Sequence, residues 1–133
     1  MKNDFICPKC SGHLLVGDKI ILLTSTKKDK QRWLIMLSPE LGDYSTVHHL
    51  EFQFEKGERA NYFCPLCHSS LATPDINENL VSIIMIDENS EKHEIVFSGI
   101  AGEQCTYKIS EKTYTKFGSS SELYDAYFKT RKI

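Results

Sequence analysis

Apolar and polar positions along this chain alternate more often than they cycle, and turn residues interrupt the alternation at short intervals. Lys19–Thr26 is rich in Ile, Leu and Thr, and the stretch from Arg32 to Leu37 carries the apolar run Trp33-Leu34-Ile35-Met36-Leu37. The polar Lys27-Lys28-Asp29-Lys30 between them suits a hairpin connection. Ser38 to Ser45 has turn chemistry throughout, and Pro39 drives Ser38 out of helical backbone. Leu50, Phe52 and Phe54 then alternate with Glu51, Gln53 and Glu55, the period of a half-buried strand that Gly57 ends. Leu80–Ile86 and His93–Ser98 flank Asp87-Glu88-Asn89-Ser90-Glu91, a second hairpin signal. Gly99 and Gly102 bracket a loop before a strand at Gln104–Ile109, and Thr113–Phe117 alternates weakly as the last strand.

Two places depart from this period. Thr73-Pro74-Asp75 predicts a short helical turn, with Thr73 as cap and Pro74 at its first position. Near the end, Ser119 and Glu122 form a capping-box pattern. Leu123 with Tyr127, and Tyr124 with Phe128, make an apolar stripe at i,i+4 spacing. The pattern predicts a short helix over about residues 120–130, packed on the sheet.

A short internal repeat carries the chemistry. Phe5-Ile6-Cys7-Pro8-Lys9-Cys10 aligns with Tyr62-Phe63-Cys64-Pro65-Leu66-Cys67, and each copy places a Leu (Leu14, Leu71) four positions after its second Cys. Each copy reads as a knuckle at the end of a strand. A Cys-x-x-Cys turn lets two sulfurs face one point, and Pro after the first Cys lowers the entropy lost on ordering it. Two such turns supply four thiolates, the shell that zinc fills as a closed tetrahedron with no position left for a substrate water. Cys7, Cys10, Cys64 and Cys67 are therefore the candidate metal ligands. A thioredoxin-like redox role would place Cys-x-x-Cys at a helix start in a βαβ setting, which this pattern lacks.

The two segments resemble the knuckles of zinc-ribbon and rubredoxin-like proteins, which implies the same four cysteines as ligands. The whole chain also resembles small bacterial proteins of unassigned activity with paired turns and a β-rich body. Ser11 and His68 stand directly after the second Cys of each pair, where the usual knuckle has Gly. That departure disfavours rubredoxin-type iron, although iron shares the S₄ geometry and remains the alternative to zinc. The expected architecture is mainly β: an antiparallel body, a Cys₄ zinc ribbon and the short C-terminal helix. Residues 1–133 are read as one domain, with the ribbon formed by about 5–16 and 60–73.

Composition narrows the role more than it names one. The chain has 133 residues with 18 acidic against 16 basic, a net charge of −2 and a pI near 6.2, so no general field attracts nucleic acid or anionic membrane. The start carries no apolar run after a basic stretch, and paired cysteines suit a reducing compartment, so a cytoplasmic setting is expected. Lys27, Lys28, Lys30 and Arg32 cluster on a hairpin tip, and Lys129, Arg131 and Lys132 near the end. The first is read as a solvated edge and the second as suiting the negative end of the last helix, with nucleic-acid or ribosome contact as the alternative. His13, His48, His49, His68 and His93 show no partnered nucleophile or carboxylate set, and Cys105 reads as a small buried hydrophobe on a strand. The expected function is a zinc-bearing module that binds a protein partner or itself, rather than an enzyme.

Overall fold

A computed structural model of the chain describes residues 3–26, 31–52, 55–73, 77–101, 103–110 and 114–119. These residues form two antiparallel sheets and no helix. Sheet B has five strands: β2 (Leu15–Val16), β3 (Lys19–Thr26), β4 (Trp33–Leu37) and β5 (Thr46–His48) in order, with β6 (Ala60–Phe63) also paired to β3. Sheet A has six: β1 (Asp4–Ile6), β8 (Asn77–Ile86), β9 (Lys92–Ser98), β10 (Thr106–Ile109) and β11 (Tyr114–Phe117) in order, with β7 (Ala72–Thr73) also paired to β8.

The hydrophobic alternation decides which side of each strand faces inward. On β3, Ile20, Leu22 and Thr24 are buried while Ile21 and Leu23 are only half-buried. The buried sets of the two sheets meet in one core containing Phe5, Leu22, Ile35, Leu71, Ile83 and Ile95, which also takes in Cys7 and Cys64. Leu80, Val96, Cys105, Tyr107 and Ile109 form a second buried cluster. Strand alternation places them on the opposite face of sheet A.

The topology repeats. Strands β1 to β5 follow the same plan as β6 to β10: short strand, knuckle, very short strand, long strand, then two more in antiparallel succession. The registers correspond. Ile20 pairs with Leu37, and Leu22 with Ile35; Val81 pairs with Phe97, and Ile83 with Ile95. Ile35 pairs with His48 as Ile95 pairs with Lys108. The first strand of each copy lies in the other copy's sheet: β1 pairs Phe5 with Met85, and β6 pairs Tyr62 with Thr24.

One expected strand is elsewhere. The strand opposite β4 is Thr46–His48, and residues 49–52 turn, with the Phe52 N–H donating to the His49 carbonyl at 3.1 Å. Leu50 is 89% exposed, whereas Phe52 is buried beside the rings of Trp33 and His48. The alternating apolar residues there mark one anchor and one solvent-facing residue, not two positions on a common strand face. Cys105 similarly lies just before β10 rather than within it. The helix expected over 120–130, the hairpin tip at 27–30 and most of the turn expected at 73–75 lie outside the described residues.

Candidate metal centre

Each knuckle begins where a strand runs out of core. Phe5 on β1 is fully buried, Cys7 follows on the same face, and the chain then reverses. The Ser11 N–H donates to the Cys7 carbonyl at 2.9 Å, and the Cys7 N–H to the Gly12 carbonyl at 3.0 Å. In the second knuckle the His68 N–H donates to the Cys64 carbonyl at 2.9 Å, and the Cys64 N–H to the Ser69 carbonyl at 3.1 Å. Ser11 and His68 adopt φ of 62° and 64°. The two residues that stand in place of the usual Gly therefore take up the left-handed backbone that Gly would favour.

The turns aim amides at sulfur. The Lys9 and Cys10 N–H groups point at Cys7 Sγ from 3.3 and 3.5 Å. The Leu66 and Cys67 N–H groups point at Cys64 Sγ from the same two distances. The Gly12 N–H lies 3.4 Å from Cys10 Sγ. Such donors favour a thiolate over a thiol and so prepare the sulfurs for a cation.

Across the knuckles, Cys7 Sγ is 3.8 Å from Cys67 Sγ, and Cys10 Sγ is 3.8 Å from Cys64 Sγ. All four sulfurs lie within 4.8 Å of one another. A disulfide needs about 2.05 Å, so these are not disulfide distances. A tetrahedron with metal–sulfur bonds of about 2.3 Å has edges of about 3.8 Å. The four thiols therefore fit a metal ion, and the site can hold one.

Cys7 and Cys67 differ in acidity. Burial pushes the Cys7 thiol up to about 12, against the pull of the Cys10 and Lys9 amides. The Ser69 hydroxyl and then its N–H bring Cys67 down to about 6. Ser69 occupies the position of Gly12 in the first knuckle, where a Cβ would meet the tip of the Leu66 side chain and displace it. Leu66 thus reaches from one knuckle over the other, while Ser69 is left to tune its own cysteine.

The remaining candidates fall elsewhere. Cys105 is 1% exposed in the second cluster, outside the four-sulfur group. His68 is exposed on its turn, and His13 Nδ1 lies 2.7 Å from the Asp4 carboxylate. His48 sits edge-on to Phe52, and His49 lies 5.2 Å from the Trp33 ring. His93 is buried, with Nε2 2.8 Å from Asp87 Oδ2 and Nδ1 2.9 Å from Ser110 Oγ. With Glu91 it makes a second group of metal-capable side chains. Residues six apart across a hairpin gave no spacing signal for it. Between the sheets runs a cleft of about 280 Å³ floored by Phe5, Tyr62, Ile83 and Phe97; its described lining contains no His, Cys, Lys or Arg. No helix of the described residues is long and apolar enough to cross a membrane.

Compared with protein-family models, curated proteins and solved structures, the chain matches none.

Proposed function

We propose that Cys7, Cys10, Cys64 and Cys67 hold one zinc ion as a structural centre, and that the chain works as a protein-docking module through the outer face of sheet B. A closed four-sulfur shell leaves no open coordination position, which suits a structural ion better than a catalytic one. The observation that carries the docking reading is an asymmetry between the two repeats. On the outer face of sheet B, Phe63, Leu23 and Leu34 stand in one row, and Ile21, Met36 and Val47 in the next. All six are apolar and none is buried; Leu34 is 57% and Val47 51% exposed. At the equivalent positions of sheet A, Glu94 replaces Leu34 and Ser82 replaces Ile21, joined by a 2.9 Å hydrogen bond. The repeat with more solvent on this face is the one with the more apolar residues there, the reverse of what solubility favours.

A patch four strands across and two rows deep spans about 14 by 7 Å, on the order of 100 Å², well below the roughly 800 Å² per partner of a standard interface. We therefore expect weak self-association through this face, extended by pairing along β5, the end strand of the described sheet. Sedimentation over a wide concentration range tests it. A reversible monomer–dimer equilibrium abolished by Leu34→Glu with Val47→Glu supports the reading. A strict monomer that binds DNA or RNA at physiological salt moves the function to nucleic-acid contact and refutes it.

A further inference from the structure

The duplicated topology changes what the metal does. Each repeat contributes one knuckle, and each knuckle joins the two sheets: β1 belongs to sheet A and β2 to sheet B, whereas β6 belongs to sheet B and β7 to sheet A. The cross-knuckle pairs Cys7–Cys67 and Cys10–Cys64 are also the pairs that link the two repeats. Backbone details coincide as well. The Leu14 N–H donates to Phe5 as Leu71 does to Tyr62, and Ile21 donates to Leu14 as Ser82 does to Leu71. Isolated bridges Ile6–His13 and Phe63–Ser70 occupy the same place in each copy. Two independent folds would not share these contacts around one point.

We infer that residues 3–49 and 60–119 are two halves of a recognition pair, a fused two-fold dimer that exchanges its first strands and is clasped by one metal ion on the axis between the halves. The partner that each half fits is the other half, and occupancy of the four-cysteine site controls how tightly they hold. The clasp rests on the metal reading above; the pairing rests on the strand exchange and on the core that the two halves share. Three register pairs hold β1 against β8 and four hold β6 against β3. The connection through Lys56 and Gly57 is exposed, and nothing lies within 4 Å of a Cβ on Gly57. It adds no core residue, and its backbone bonds, from Gly57 N–H to the Ala101 carbonyl at 2.7 Å and from Ala101 N–H to the Glu58 carbonyl at 2.8 Å, hold it to the second half alone.

The test uses the whole chain with a protease recognition sequence inserted between Lys56 and Gly57, loaded with zinc and cut after folding. Elemental analysis before cutting establishes that zinc is bound, so failure of the metal reading is seen separately. The cut protein is expected to remain one particle of the uncut mass at sub-micromolar concentration. Chelation under reducing conditions is expected to weaken the pair at least a thousandfold, so that it separates at that dilution and reassembles when zinc returns. Separation with zinc still bound overturns the pairing, and an intact pair after verified zinc removal overturns the clasp. Should the insertion prevent folding, hydrogen exchange on the unmodified chain decides the matter. Zinc removal is expected to release amide protection at Asp4–Ile6 and Ala60–Phe63 together, although they sit in opposite sheets; release confined to one sheet refutes the inference.

Discussion

The pH dependence of metal binding follows from the thiol environments and can be worked out group by group. Zinc binds thiolates, so every ligand that is protonated in the metal-free protein must release a proton. Cys7, pushed up to about 12 by burial, is protonated throughout the neutral range. Cys10 is also raised above its ordinary value: the Gly12 N–H pulls it down, but desolvation and the neighbouring Cys64 and Cys67 thiols outweigh that pull. Cys67, brought down to about 6, is already mostly thiolate at pH 7 and is the natural first contact for the ion. Between pH 7 and 8 at least two protons, those of Cys7 and Cys10, therefore leave on binding. Each proton released makes affinity rise about tenfold per pH unit, so the dissociation constant should fall at least about a hundredfold over that unit. Binding weakens as pH falls. Competition against a chromophoric chelator at a series of pH values gives the slope, and an indicator dye in weak buffer counts the protons. Release of one proton or fewer per zinc would refute the assignment of Cys7 and Cys10 as ligands that are protonated in the metal-free protein.

Three further outcomes are expected. Cys105→Ala should leave the zinc content unchanged and cost about 1 kcal/mol of packing in the second cluster, measured by denaturant unfolding; loss of the metal would show that Cys105 is a ligand. His68→Gly removes a side chain from a left-handed position and should be neutral or stabilising, by up to about 1 kcal/mol after the entropy of Gly is set against the relieved strain; a clear loss of stability would mean that the imidazole itself supports the knuckle. The His93 hydrogen bond, followed by the Glu91 and Asn89 amides, holds Asp87 below the usual carboxylate range. Its contribution to stability is thus present above the unfolded-state value and is lost as pH falls through the lower folded one. Amide exchange in the Asp87–Glu91 turn should accelerate in that acid window, and Asp87→Asn should remove the acid dependence.

The sequence by itself determined which four cysteines come together and the strand-rich character. The turns Cys7-Pro8-Lys9-Cys10 and Cys64-Pro65-Leu66-Cys67 share one spacing within a few residues, so the repeat is legible there. Most hairpins were legible too, because Asp87–Glu91 and Ser38–Ser45 carry turn chemistry in the residues themselves. Beyond the knuckles, the duplication left little mark in residue identity: Ile35 with Ile95 and Thr46 with Thr106 coincide, but their neighbours do not. Pairing demands only alternation and register, so Leu22 can correspond to Ile83, Met36 to Val96 and Leu34 to Glu94. The longer connection from Thr73 to Asn77, against the tight one from Val16 to Lys19, also shifts the repeat out of step along the chain. Tertiary structure alone decided that β1 and β6 change sheets, because an extended strand of three or four residues satisfies its amides equally well against any exposed edge. With β1 and β6 on these edges, the four sulfurs lie within 4.8 Å of one another. The turn at residues 49–52 was settled the same way: Phe52 is anchored by Trp33 and His48, contacts that no local pattern contains.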